Sequence, residues 1–211
     1  MKINQLKQLE DLLIITKDGF RLYEKNENNL SSNLKYWVKK GELIRLKKGR
    51  YILKSRWQNE YRKEDYLEFL ANKIYEPSYL SCEYVMNKYN LLTESVYSVT
   101  SITTKKTKVF KNQLATYVYY SITPNLFFDF YLKKSDLAPI LIAKKSKAVF
   151  DFLYLRFLKN TPINKKVIIE LRINWENINK KEFLEIKRYA DKSKNKRVIQ
   201  VINLISKIYY A

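Results

Sequence analysis

The stretch between Leu34 and Leu53 limits the possible folds of this chain more than any other part of the sequence. Its first half has apolar residues at helical spacing and ends at Gly41, and its second half contains two short apolar runs that meet at Gly49. The chain has three glycines, and two of them stand at these ends, where a positive φ is most often required. The pattern predicts an amphipathic helix that is followed directly by a β-hairpin with a basic tip.

The residues before this stretch predict two further helices. Thr16 can cap a short second helix, and one of the asparagines in the polar run at 24–29 can cap the third. The apolar residues that predict a first helix are Ile3, Leu6, Leu9 and Leu13. The buried stripe expected on the third helix comprises Leu30, Leu34, Trp37 and Val38. Three helices and a hairpin predict a winged helix-turn-helix over residues 1–54.

Residues 55–211 predict a second domain of mixed α/β structure, so that the fold class expected for the whole chain is α+β. A helical stripe that includes Tyr66 and Ile74 ends before Pro77, and another helix is expected from Cys82 to Tyr89. The further elements expected are strands at 97–103, 116–122, 126–132 and 139–143, a helix at 148–158, a possible strand from Val167 to Ile173, and helices near 180–190 and 195–209.

The composition excludes several kinds of chemistry. The 211 residues include no histidine, which excludes Ser-His-Asp and Cys-His catalysis and histidine-containing metal sites. Cys82 is the only cysteine, so an intrachain disulfide is impossible, as is typical of a reducing compartment. The start has no hydrophobic leader and no apolar run reaches the length of a membrane span. We therefore expect a soluble cytoplasmic protein that uses no metal or cofactor and contacts no membrane.

The net charge gives the first indication of a partner. Lys and Arg number 41 against 21 Asp and Glu, and the resulting net charge of +20 suits an anionic partner such as nucleic acid. The codon bias of an AT-rich genome is an alternative source of many lysines, because Asn, Ile and Tyr are also abundant. The charge therefore bears on function only where it lies on one particular surface.

The third helix and the hairpin can form such a surface. In a winged helix-turn-helix, the start of this helix meets base edges in the major groove, while later residues and the hairpin meet phosphates. The alternative is a surface helix with solvated lysines, and the lysine-rich segment 104–108 is either an ordinary turn or an extension of a DNA footprint. The residues expected to contact double-stranded operator DNA are Ser31, Ser32, Lys35, Tyr36, Lys39, Lys40, Arg45, Lys47, Lys48 and Arg50.

Several segments resemble the AbiEi family, the antitoxins of the bacterial type IV toxin–antitoxin abortive-infection system. The residues from Tyr79 to Glu94 look like a helix of that family, and Ile142 to Tyr154 is similar to its Lys-Ala-x-x-Asp segment, here Lys147, Ala148 and Asp151. The hairpin with Gly41 and Gly49 fits the family's basic wing. The resemblance covers roughly residues 12–158. It departs from the family at Asn90, where the family has Gly, and at Ser146, where it has Glu.

This resemblance implies an autorepressor whose winged helix binds DNA and whose C-terminal domain is needed for antitoxin action. It also implies a functional partner, a nucleotidyltransferase toxin, that is neutralised without a stable protein complex. Under this hypothesis Lys144, Lys145, Lys147 and Asp151 form an antitoxin surface. The alternative is a solvated basic turn at a helix start, in which Asp151 is a local ion-pair partner.

Two other classes of protein remain as alternatives. An enzyme of the nucleotidyltransferase type is disfavoured, because no glycine follows Gly49 and no Asp-x-Asp pair occurs. A winged-helix regulator that stands alone and senses a ligand or partner through its C-terminal domain is the runner-up. No heptad pattern indicates a dimer, so we expect a monomer in solution.

Overall fold

The computed structural model describes residues 2–210 and shows a mixed α+β protein with two β-sheets. The first elements are α1 (Ile3–Lys7), β1 (Ile15–Thr16), α2 (Lys17–Arg21), α3 (Glu27–Lys40), β2 (Leu43–Lys47) and β3 (Arg50–Leu53). Strands β1, β3 and β2 form, in that order, a small antiparallel sheet. Three helices and the hairpin are present in the predicted order, together with β1, which was not predicted. The first helix is shorter than predicted, because α1 ends at Lys7 and leaves Leu9 and Leu13 outside it.

Local sequence explains where α2 and α3 begin and where α3 ends. The Thr16 hydroxyl accepts a hydrogen bond from the Gly19 amide at 3.2 Å, which caps α2. The Asn26 side chain accepts hydrogen bonds at 3.0 Å from the amides of the second and third residues after it, which caps α3. Gly41 at the end of α3 and Gly49 at the hairpin tip both have a φ of 78°, in the left-handed region that glycine adopts without strain.

Within the described residues, the rest of the chain forms seven α-helices and the six strands of a larger sheet. The helices are α4 (Lys54–Asn59), α5 (Lys63–Ile74), α6 (Cys82–Lys88), α7 (Lys145–Phe157), α8 (Lys165–Glu170), α9 (Lys180–Ser193) and α10 (Lys196–Tyr209). The strands are β4 (Ser78–Leu80), β5 (Ser98–Thr103), β6 (Lys108–Lys111), β7 (Thr116–Ser121), β8 (Phe130–Lys133) and β9 (Ile140–Ala143). The strand order is β6-β7-β5-β4-β9-β8.

The larger sheet mixes both strand directions. Its central neighbours β5 and β7 run parallel, as do β4 and β9, while the remaining pairs are antiparallel. Strands β6 and β8 form the two edges. Helices α7, α9 and α10 contribute buried residues to the core that covers this sheet.

The predicted strand from Val167 to Ile173 is wrong, because this segment contains helix α8. The Asn164 side chain caps the helix by accepting a hydrogen bond from the Val167 amide at 3.0 Å, and Ile168 points into the core. Ile173 forms only an isolated bridge with Leu92. A run of β-branched residues is a weak indication of a strand. Here the Asn164 cap and the buried Ile168 side chain favour a helix.

The small sheet lies between two hydrophobic cores. On one face, Leu43, Tyr51 and Leu53 pack with Leu30 and Leu34 of α3 in the smaller core. On the other face, the buried residues that belong to the larger core are Ile44, Leu46 and Ile52. The hairpin is thus held on both faces, which fixes its position relative to α3 and to the larger sheet.

No helix within residues 2–210 is both long enough and apolar enough to cross a bilayer.

Candidate nucleic-acid interface

A groove of about 480 Å³ lies between α3 and the β2–β3 hairpin. Its apolar floor is formed by Leu34 and Val38 of α3 and by Tyr51 of β3. The basic residues that line it are Lys17, Lys35, Lys39, Arg45 and Lys48. No acidic side chain lines the groove among the described residues, so its walls present a single sign of charge.

Most of these cations have no internal partner. Within residues 2–210, Lys35, Lys39, Arg45 and Lys48 form no ion pair. Lys17 is the exception, since its ammonium lies 2.6 Å from a carboxylate oxygen of Glu27. Unpaired cations that remain exposed along a groove are available to an anion from outside the chain.

The outer face of α3 carries the residues that the sequence placed there. Ser32, Lys35, Tyr36, Lys39 and Lys40 are all exposed. The Lys40 ammonium lies 5.8 Å from the centroid of the Tyr36 ring, which fixes this aromatic side chain at the surface. Together these residues form a polar and basic face that continues into the groove.

Two residues of α3 are less available than the sequence indicated. Ser31 is half-buried and its hydroxyl accepts a hydrogen bond from Lys17 at 3.3 Å. Trp37 is also half-buried and packs at the margin of the smaller core, in edge-on contact with Tyr36 at a centroid distance of 4.9 Å. Its place on the inner stripe agrees with the prediction, although its ring is not enclosed.

The structure turns two of the predicted contact residues, Lys47 and Arg50, away from this groove. A β-bulge between Arg45 and Lys47 shifts the register, so that Lys47 pairs with Arg50 on the face opposite Arg45. Arg50 donates a hydrogen bond to the Lys73 carbonyl and lies 3.3 Å from the Glu76 carboxylate. The bulge therefore divides the basic hairpin between two faces, a feature that alternation of residues along a strand does not predict.

The predicted antitoxin surface is wrong for Lys147 and Asp151, because both side chains are completely buried. They form an ion pair one helical turn apart on α7. Asp151 also accepts hydrogen bonds from the Tyr79 hydroxyl at 2.9 Å and from the Ser81 hydroxyl at 2.7 Å. We call Lys147, Asp151, Tyr79 and Ser81 the buried network, and its role in the fold is to join α7 to strand β4 and the residue after it.

The electrostatic state of the buried network follows from two opposed effects. Burial raises the pKa of Asp151, and the Lys147 ammonium and the two hydroxyl donors act in the opposite direction by favouring the charged carboxylate. The Lys147 ammonium is further held by the Tyr79 hydroxyl at 2.9 Å. Every residue of the network is buried and hydrogen-bonded to another member, so the network offers no group to an external ligand.

Lys144 and Lys145, the other two predicted members of that surface, are engaged within the chain. The Lys144 ammonium lies 2.6 Å from Asp129, and that of Lys145 lies 2.9 Å from Glu182 on α9. The ion pair with Asp129 raises the pKa of Lys144. The two lysines therefore connect the start of α7 to its neighbours. This agrees with the helix start and the local Asp151 partner of the alternative, but the turn is not a solvated one, because Lys145 is half-buried and Lys147 is buried.

Asn90 and Ser146, the two residues that depart from the resemblance, both lie in defined local environments. Asn90 has a φ of 54°, so it adopts the left-handed conformation in which asparagine is the best substitute for glycine. The Ser146 hydroxyl donates a hydrogen bond at 2.8 Å to Glu185 of α9. A carboxylate thus stands beside this position although the residue itself is serine.

Sequence reasoning missed Lys17 as a groove residue. Lys17 is the first residue of α2, directly after the cap at Thr16, and the β1–β3 pairing brings it beside the hairpin tip, where its amide donates to the Gly49 carbonyl at 2.9 Å. No local pattern could have shown this, since the contact depends on a two-residue strand. No cluster of three or more Cys, Asp or Glu side chains suited to a metal ion occurs within the described part of the chain.

Comparison of the chain with protein-family models gave no match, and comparison with curated proteins gave no significant match.

Proposed function

We propose that this protein is a DNA-binding regulator whose residues 1–54 act as a winged helix-turn-helix. The observation that carries the proposal is the groove between α3 and the hairpin, with five basic residues and no acidic side chain on its described lining. In a winged helix, the third helix and the hairpin are the parts that meet DNA. The groove then receives one strand of the phosphate backbone.

Each part of the surface takes a separate role under this proposal. Ser32, Lys35 and Tyr36, on the exposed face of α3, meet base edges in the major groove. Arg45 and Lys48 on the hairpin meet phosphates beside the contacted bases, and Lys39 and Lys40 meet phosphates along the helix. Lys47 and Arg50 take no part in this contact, because they lie on the other face of the hairpin.

We further propose, from the resemblance to the AbiEi family, that the protein is an antitoxin that represses its own operon. Its functional partner is then a nucleotidyltransferase toxin, neutralised without a stable complex, and the protein itself has no catalytic activity. Two observations are compatible with the resemblance: the left-handed Asn90 in place of Gly, and the Glu185 carboxylate beside Ser146. The proposed setting is the cytoplasm, with the protein a monomer in the absence of DNA.

The test of DNA binding uses a duplex taken from upstream of the gene and a random duplex of the same length. If about 6–10 phosphates are contacted, affinity falls about 10³–10⁵-fold between roughly 50 and 200 mM salt. We expect Lys48→Ala to weaken both duplexes alike and to reduce the salt slope by about one unit. We expect Ser32→Ala or Lys35→Ala to narrow the preference for the upstream duplex, because base contacts carry specificity.

The control for bulk charge is Lys196→Ala with Lys207→Ala, which removes two exposed lysines of α10. Equal effects of this pair and of groove substitutions would show that binding follows net charge, and would overturn the proposal.

The test of antitoxin action is co-expression with the neighbouring gene, if that gene encodes a nucleotidyltransferase. The full chain should restore growth, and Lys35→Ala should lose repression of the operon while still restoring growth, because the two activities lie on different parts of the chain. Failure of the full chain to protect would remove the antitoxin proposal and leave the alternative of a regulator that senses a ligand. A change of operator affinity on adding cell metabolites would favour that alternative.

A further inference from the structure

A second cationic surface lies on the other face of the hairpin. It combines Lys47 of β2 with two lysines of the turn between β5 and β6 and with the first residue of β6. We call these four residues, Lys47, Lys105, Lys106 and Lys108, the junction patch. The Phe110 ring lies at its centre, with the Lys47 ammonium 5.8 Å and the Lys108 ammonium 5.2 Å from its centroid. The patch therefore joins the small sheet to the edge strand β6 of the larger sheet.

The junction patch is held in place by neighbouring aromatic and amide groups. The Lys105 ammonium lies 5.5 Å from the centroid of the Tyr75 ring, and the Tyr75 hydroxyl donates to the Lys106 carbonyl at 3.2 Å. The Asn112 side chain donates to the Leu46 carbonyl at 3.4 Å, which connects the end of β6 to the hairpin. The turn is thus held by the residue after α5, and the residue after β6 is held by the hairpin.

The positive charges of the junction patch have no counter-ion within residues 2–210. None of its four lysines forms an ion pair there, and the nearby Glu76 carboxylate is already shared by Arg50 at 3.3 Å and Lys73 at 2.9 Å. Partial burial lowers the pKa of Lys47, and repulsion from Arg50, Lys105 and Lys108 lowers it further. An anion from outside the chain would relieve this repulsion.

The patch and the groove meet at the hairpin tip. Lys48 lines the groove, and Lys47, the residue before it, belongs to the patch on the opposite face. Consecutive Cα atoms are only about 3.8 Å apart, so a polyanion lying against the tip can reach both surfaces at once. A duplex with its regular line of phosphates fits two adjacent basic surfaces better than a small anion does.

We propose that the junction patch binds the phosphate backbone of the same DNA duplex, on the outer side of the hairpin, and so extends the footprint onto the larger sheet. The proposal rests on the proposed function of α3 and the hairpin. Lysine ammoniums are point charges that contact phosphates without reading bases, so the patch adds affinity and not sequence preference. Residues 55–210 then contribute to operator binding directly.

The experiment compares two double variants of the full chain. The patch pair carries Lys105→Gln and Lys108→Gln, and the α10 pair carries Lys196→Gln and Lys207→Gln. Both pairs remove two exposed lysines, so any effect of net charge is equal. If each patch lysine neutralises one phosphate, the patch pair reduces the salt slope of binding by about 1.8 units on operator and random duplexes alike. The α10 pair should leave the slope at the wild-type value.

Two further measurements identify the source of the effect. Ethylation of phosphates should interfere with wild-type binding at positions flanking the α3 contacts, and this flanking interference should disappear in the patch pair. Lys105→Arg with Lys108→Arg, which keeps both charges, should restore the slope and the interference. A patch pair that behaves like the α10 pair, or interference confined to the α3 contacts, would overturn the proposal.

The two proposals can fail separately. If Lys35→Ala and Lys48→Ala weaken binding while the patch pair has no effect, DNA binding through α3 stands and the extended footprint is wrong. If the patch pair lowers the slope but the wild type has no preference for the upstream duplex, the patch binds DNA and operator recognition is wrong. If the chain binds neither duplex, both proposals are wrong.

Discussion

Lysine side chains have opposite environments in the groove beside α3 and in the buried network at α7. In the groove, Lys35, Lys39 and Lys48 line the surface without any ion pair in the described part of the chain. In the network, Lys147 is completely buried and its charge is matched by Asp151 and by the Tyr79 hydroxyl. Both regions come from lysine-rich stretches that are alike in composition.

This contrast separates charge that serves the fold from charge that is free for a partner. A buried ammonium without a partner carries a large desolvation cost, so the network must be complete for the chain to fold well. An exposed ammonium carries little cost and little stability, so the groove can lose a lysine without harm to the fold. Substitutions in the two regions should therefore affect different measurements.

The largest expected effect is on the free energy of unfolding when Asp151 is removed. Asp151→Ala leaves the Lys147 ammonium buried without its partner and should cost about 3–5 kcal/mol. In a chain of this length each kcal/mol lowers the melting temperature by about 2–4 °C. Chemical denaturation followed by circular dichroism measures the change.

The control for Asp151→Ala is the double variant Lys147→Met with Asp151→Leu, which removes both charges of the buried network. It should recover part of the lost stability. A double variant as unstable as the sum of both single variants would show that the ion pair is not the reason for the loss. Residual DNA binding of folded Asp151→Ala should keep the wild-type salt slope.

The next largest effect is the loss of unfolding free energy when Trp37, on the helix that forms the groove, is removed. Its ring is only half-buried, so Trp37→Ala should cost about 1–3 kcal/mol, below the ~3–5 kcal/mol of an enclosed aromatic side chain. The matched control is Trp175→Ala in the larger core, where the side chain is 4% exposed and the full cost is expected. Equal losses in the two variants would contradict the difference in enclosure.

A smaller and more specific effect separates Arg45 from Arg50, two arginines on opposite faces of the hairpin. Arg50→Ala removes the contacts with Glu76 and the Lys73 carbonyl and should cost about 1–2 kcal/mol, with no change in the salt slope. Arg45→Ala should change stability by less than about 0.5 kcal/mol and reduce the slope by about one unit. A reduced slope in Arg50→Ala would place that arginine on DNA.

The smallest effect is a dependence of stability on pH. Hydrogen bonds from Arg21 at 2.5 Å and Lys17 at 2.6 Å lower the pKa of Glu27 from 4.5 to about 2. A lowered pKa in the folded state gives stability that is present above pH 4.5 and is lost as the pH falls towards about 2. Because these groups are exposed, the total effect is small.

The measurement is the difference in unfolding free energy between the wild type and Glu27→Gln at a series of pH values. The difference should be constant near neutral pH and should vanish as the pH falls towards the folded-state pKa of Glu27. A difference that does not change with pH would show that the ion pairs around Glu27 do not stabilise the start of α3.

Much of the N-terminal structure could be predicted from sequence because it depends on neighbours along the chain. The caps at Thr16 and Asn26 and the left-handed glycines at 41 and 49 are decided within four residues of each position. The last two helices, α9 and α10, were likewise predicted from apolar spacing alone. Local chemistry decides these elements, so a single sequence is enough to find them.

The features that were missed depend on contacts between distant parts of the chain. Lys147 and Asp151 are bonded in the core to Tyr79 and Ser81, which lie about seventy residues earlier, in the three-residue strand β4 and directly after it. The bulge that moves Lys47 to the other face is a single change of register, and the periodicity of β2 contains no trace of it. Apart from Lys17, the basic residues of the candidate site could be named from sequence, but not the face on which each would lie.

The small sheet has one face in each core. This limits where the chain can be shortened and how far α3 can move relative to the larger sheet. A shortened chain that ends at residue 54 would leave Ile44, Leu46 and Ile52 open to water, and such a fragment should aggregate instead of serving as a portable DNA-binding module. Because this sheet packs into both cores, we expect α3 to keep one angle to the rest of the molecule. Two copies bound to neighbouring half-sites would then fit only certain distances between the half-sites. Inserting half a helical turn of DNA between the half-sites should therefore weaken binding of the second copy.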